Sequence, residues 1–177
     1  LDIKGGYRRD DLDWSIAGFI PSGPGVPLDP ALQGQYVNIL SELTWRDVEI
    51  FQLEFDLEKR VQRNYRLIGQ LAIGMIFDGT VQDSDYGGND RTLEFSRSFA
   101  STDDGDTWDL YLGFGYEFSF ASDRFSLSPL AGLSYHGQNL RLTDGFQALS
   151  AYGWETVNPV GPFPFLDSSY EASWLGP

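Results

Sequence analysis

The feature that most narrows what this chain can fold into is a strict alternation from Thr107 to Phe120. Its even positions are Trp108, Leu110, Leu112, Phe114, Tyr116, Phe118 and Phe120. Its odd positions are Thr107, Asp109, Tyr111, Gly113, Gly115, Glu117 and Ser119. Successive side chains of a strand point to opposite faces, so period two sets an apolar face against a small and polar one. A helix would need its apolar positions every three to four residues. Common globular strands have about 5–6 residues, less than half of this run.

The pattern recurs along the chain. Tyr65 to Asp78 places Tyr65, Leu67, Leu71, Ile73, Met75 and Phe77 on one face, opposite Arg66, Gln70, Ala72, Gly74 and Asp78, with Ile68 and Ile76 as exceptions. Leu43 to Glu58 sets Leu43, Trp45, Phe51, Leu53, Phe55 and Leu57 against Thr44, Arg46, Gln52, Glu54, Asp56 and Glu58. Asp47 and Glu49 interrupt that apolar row, which predicts that this part lies above any lipid. Phe125 to Gln138 opposes Phe125, Leu127, Ala131, Leu133 and Tyr135 to Ser126, Ser128, Gly132, Ser134, His136 and Gln138. Pro129 within it costs a ladder bond. Asp10 to Gly18 carries Leu12, Trp14 and Ile16, and Tyr170 to Trp174 begins a sixth strand. Short connections at Arg60–Asn64 and Ala121–Arg124 alternate with long ones at Pro21–Tyr36, Gly79–Asp106 and Leu149–Ser168.

Together these features predict an all-β fold: one domain over residues 1–177, an antiparallel transmembrane β-barrel with about six strands in this chain. Aromatics at both ends of a long strand with leucines between them, and short turns alternating with long loops, are the pattern of outer-membrane barrels. No run approaches the ~18 apolar residues of a spanning helix, whereas a barrel strand needs only ~9–11. The competing fold is a soluble barrel or sandwich, whose aromatic face would be an internal core. Against it stands a second face of Gly, Ser, Thr, Gln and acids. On the membrane reading, the outward faces meet outer-membrane lipid and lipopolysaccharide. The predicted location is the bacterial outer membrane.

Charge removes other classes. The net charge of −14 argues against a nucleic-acid partner, whose phosphates call for a Lys/Arg surface, and against docking on anionic lipid. Two readings of the acidity stay open: a solvated surface, or loops that meet cations or basic peptides. With no cysteine there are no disulfides and no thiolate metal sites. Asp90, Asp103, Asp104 and Asp106 could offer oxygens to Ca²⁺, but their spacing fits no EF-hand. No cofactor and no metal is expected.

The ends read as those of a partial barrel. The chain opens on Leu1, as a processed or trimmed chain does, and closes on Trp174-Leu175-Gly176-Pro177, which is neither a closing strand nor a terminal aromatic. An open edge in lipid leaves backbone groups unpaired. Either further strands of the same polypeptide or a neighbouring chain must complete the barrel, and the first is preferred.

Three stretches, Leu40-Ser41-Glu42-Leu43-Thr44-Trp45, Gly79-Thr80-Val81-Gln82-Asp83-Ser84-Asp85-Tyr86 and Ser134-Tyr135-His136-Gly137-Gln138-Asn139-Leu140-Arg141, occur in an order, and with loop lengths, that resemble the omptin-like outer-membrane barrels. With Tyr170–Pro177 they look closer still to the subgroup named for a Protochlamydia outer membrane protein. The resemblance covers nearly the whole chain but about the first half of a ten-stranded omptin. It implies an endopeptidase cutting at basic residues, with a water held between two aspartates and an Asp–His pair. Asp83 and Asp85 match the aspartate pair in spacing and position after the third strand. The Asp–His pair belongs to the half this chain does not match. His136, the single histidine, does not fall at that position and is read as a lumenal hydrogen-bonding residue. The leading expectation is a structural or surface-interaction role, followed by the endopeptidase and then by a narrow passive pore.

Overall fold

The computed structural model describes residues 1–62, 64–120 and 124–177. Two of the expected short turns fall partly on residues 63 and 121–123, outside the described residues. The strands are β1 (Asp2–Phe19), β2 (Tyr36–Val61), β3 (Tyr65–Gly88), β4 (Thr92–Ser101), β5 (Gly105–Tyr116), β6 (Phe118–Phe120), β7 (Phe125–Leu127), β8 (Leu130–Ser150) and β9 (Gly161–Gly176). Every pairing is antiparallel. The order across the sheet is β1, β2, β3, a shared track of β4 and β5, β8 and β9. Within the shared track, β5 pairs the lower halves of β3 and β8, and β4 pairs their upper halves. Among the described residues β1 pairs only β2 and β9 pairs only β8, so both are edges.

The sheet curls until its edges approach each other. Arg8 on β1 donates to Asp109 on β5 at 2.9 Å although β2 and β3 lie between them in the sheet. The rings of Trp14 on β1 and Tyr170 on β9 are 5.8 Å apart. The concave face carries the ion pairs: Lys4 with Glu54, Arg8 with Asp10 and Asp109, and Arg66 with Glu117. The convex face leaves Phe51, Leu53, Leu57, Leu67, Met75, Phe77, Trp108, Leu110, Leu112, Phe114, Leu133 and Tyr135 exposed. This agrees with the alternation read from Thr107–Phe120 and Tyr65–Asp78.

The face assignment of Leu43 and Trp45 is corrected. Trp45 is fully buried on the concave side, with Leu43 packed beside it, while Phe51 and Leu53 point out. The register shifts between Arg46 and Ile50, and Asp47 takes φ 57°. An extra residue at a β-bulge reverses the sidedness of everything beyond it, and a single alternation count cannot carry across it.

Gly79–Asp106 is likewise not a loop. β3 runs on to Gly88, turns through residues 89–91 and returns as β4. Its Gly, Asp and Ser content suggested irregular chain, but here those residues form a paired hairpin that extends the sheet outward. The single long strand expected at Thr107–Phe120 breaks at Glu117, whose N–H donates to the Asn64 carbonyl at 2.7 Å. The strand expected at Phe125–Gln138 breaks before Leu130, where Pro129 has no N–H to offer.

The concave side is divided along its length. An apolar cluster of Trp45, Val48, Ile50, Ile76, Val81, Ala100 and Leu140, joined by Leu12, Trp14 and Tyr170, sits about midway. Below it lies a cavity of about 500 Å³ near Asp109 and His136. Above it lies one of about 240 Å³ that includes Asp83 and Asp85. Residues 20–35 fold over the upper end, where Leu28 and Leu32 pack with Ile20, Val37 and Phe95 and against Trp154. The Asp29 N–H donates to the Tyr152 carbonyl at 2.6 Å.

Candidate functional site

Asp83 and Asp85 lie on β3, above the exposed apolar belt that ends at Phe77. Being two apart on a strand, they share the concave face. Leu43 and Ser41 of β2 sit opposite them, and Ser98 and Ser96 of β4 on the other side. The upper cavity is completed by Gln147 of β8, Trp154 and Asn158 of the connection after it, and Ser168 of β9. Gln147 is buried and fixed three ways: its amide donates to Ser96 Oγ at 3.0 Å and to the Leu149 carbonyl at 2.6 Å, and its oxygen accepts from Asn158 at 2.8 Å.

No salt bridge among the described residues includes Asp83 or Asp85. One carboxylate oxygen of Asp83 and the indole N–H of Trp154 are buried without a partner. Burial, and then the neighbouring Asp85 carboxylate, push Asp83 up to about 6, with the Ser41 hydroxyl acting in the opposite sense. Burial also raises Asp85, opposed by the Ser41 and Ser96 hydroxyls. Such a pair can hold a proton near neutral pH, which is what general acid–base chemistry uses.

The structure also holds an Asp–His pair. His136 on β8 is opposite Asp109 on β5, its Nδ1 meets Asp109 Oδ1, and Arg8 holds the other oxygen. His136, read as a lumenal hydrogen-bonding residue, makes this hydrogen bond on the concave face. The pair does not meet Asp83 and Asp85. Asp109 is level with Ala72 of β3, and eleven residues of strand from Ala72 to Asp83 span about 35 Å. The two pairs lie in different cavities on either side of the apolar cluster. Arg8, Gln147 and Trp154 escaped the sequence reading, since only the strand register and the curl of the sheet bring them to these sites.

The four acids considered for Ca²⁺ are occupied separately. Asp90 accepts from Asn38, Asp103 from Thr143 and Asp106 from the Trp108 indole, and Asp104 pairs with Arg141.

No curated protein and no solved structure matches the chain. The family model described as Protochlamydia outer membrane protein matches residues 2–177. That family places the protein in the bacterial outer membrane, in keeping with a nearly all-strand antiparallel fold. The chain belongs to the Protochlamydia outer membrane protein family.

Proposed function

We propose that this chain is one wall of a membrane-spanning, omptin-like β-barrel with a structural or surface-interaction role. The observation that carries the reading is the belt of exposed large apolar side chains on β1, β2, β3, β5 and β8, backed by a concave face of ion pairs. A lipid surface makes such a belt favourable over its full width. Lipid and lipopolysaccharide cover the convex face, and the β3–β4 hairpin stands above the membrane. Further strands of the same polypeptide or a neighbouring chain pair the edges of β1 and β9. The apolar cluster across the interior weighs against a passive pore.

Brominated lipids test this reading in reconstituted vesicles. Bromines along the acyl chains should quench a single tryptophan retained at 108 or introduced at Leu112, and spare one introduced at Gln70. Equal quenching at Leu112 and Gln70 would sink the proposal.

An endopeptidase is the second reading, favoured by the adjacent, cation-free carboxyls of Asp83 and Asp85 at the outer end. Basic peptides would be its substrates. The described residues bring no Asp–His pair to these carboxyls, and the expected result is no turnover of a dibasic peptide. Cleavage by the wild type that disappears in Asp83→Asn would reverse the order of the two readings.

A further inference from the structure

The lower cavity of about 500 Å³ is of the size of small-molecule pockets. Two aromatic rings shape it. Tyr111 lies across Gly113 and Gly132: a Cβ on either glycine would sit 2.5 Å or 2.7 Å from the Tyr111 hydroxyl oxygen. The missing side chains are what let that ring lie down on the wall. Trp174 leans on the His136 ring, with centroids 4.4 Å apart.

Each charged group around the cavity has a partner, but the acids outnumber the cations: Lys4 serves Glu54 and Asp56, and Arg8 serves Asp10 and Asp109. Arg8 also donates to Gln52 Oε1 at 3.1 Å, and Gln70 donates to Asp56 at 3.0 Å. An anionic ligand would meet this excess of acid, and a cationic one would have to displace Lys4 or Arg8 from the carboxylates they bridge. An apolar ligand would strand amide and carboxylate groups away from water, which is unfavourable without replacement hydrogen bonds. A flat ring with C–H faces and hydroxyl edges meets both constraints: the faces cover the aromatics and the edges bond to the amides and carboxylates.

We propose that this cavity binds a free, uncharged mono- or disaccharide between the faces of Tyr111 and Trp174. The proposal rests on the barrel reading in one respect, that the concave face is a watery interior.

Calorimetric titration of the protein in detergent micelles tests it, with glucose, maltose and N-acetylglucosamine as neutral probes and glucuronate and glucosamine as charged ones. At least one neutral sugar should bind saturably, and more tightly than both charged probes. Trp174→Ala and Tyr111→Ala should each weaken that binding about 10-fold. Trp174→Phe, which keeps a ring, should stay within about 3-fold, and it decides the matter if Trp174→Ala fails to fold. Trp154→Phe, in the upper cavity, should leave binding unchanged. No saturable binding of any neutral sugar, tighter binding of a charged one, or unaltered affinity in folded Trp174→Ala would each overturn the proposal. The lipid-quenching result is independent of these titrations, so failure of the barrel reading is recognised separately.

Discussion

At the scale of single residues, Asp83 is a carboxyl that burial moves toward neutral pH. Its carboxyl is raised from 3.8 to about 6, so the folded protein holds that proton more tightly than the unfolded chain does. Folding is therefore unpenalised by this group below about pH 4, loses stability as pH rises toward 6, and levels off above. The shift corresponds to about 2–3 kcal/mol. Asp83→Asn should stabilise the protein by up to that amount at pH 8 and by almost nothing at pH 4, measured by urea unfolding in micelles. An equal effect at both pH values would mean that the carboxylate is solvated or paired. Ser84, buried next to it, shows how little the sequence reveals here. Its place between two acids suggested a solvated loop, whereas the β3–β4 pairing encloses it.

At the scale of elements, the β2 bulge decides which side chains form the internal cluster. Asp47 adopts a left-handed φ of 57°, which Asp tolerates and a β-branched residue does not. Asp47→Val should cost about 1–2 kcal/mol and Asp47→Gly little, read from unfolding midpoints. Deleting Asp47 is the stronger test. It should turn Trp45 from the cluster to the convex face, and its fluorescence should then become sensitive to lipid bromines. Trp45 that stays unquenched would show that the bulge does not set the sidedness. On β5 the sidedness needs no such device. Leu112, 57% exposed at the middle of the belt, should cost ~2–4 kcal/mol of folding free energy as Leu112→Arg in a bilayer, and much less in a soluble context.

At the scale of the molecule, the open edges are the main unsatisfied feature. β1 and β9 each have one paired side within the described residues, and lipid offers no hydrogen bonds to the other. If further strands or a second chain pair with them, as proposed, both strands should show amide hydrogen exchange in the outer membrane as slow as β3. Fast exchange along the outer side of β1 in native membranes would contradict this. The upper end should behave differently. Residues 20–35 are held there by Leu28, Leu32 and a few backbone bonds, so local opening there should cost less than unfolding the belt.

The sequence by itself determined the class of fold and, along β5 and along β3 as far as Phe77, the face that most side chains take. Those follow from a local rule, the two-residue period, acting on a chain rich in aromatics and glycine. The resemblance also singled out Asp83 and Asp85 as a pair, within a stretch read as a loop. Only the tertiary structure decided that Trp45 turns inward, that the supposed loop after Gly79 is a hairpin, and that His136 meets Asp109 and Arg8. Each of these depends on strand register, on an inserted residue, or on the curl that brings β1 across to β5, and none of the three leaves a period in the sequence.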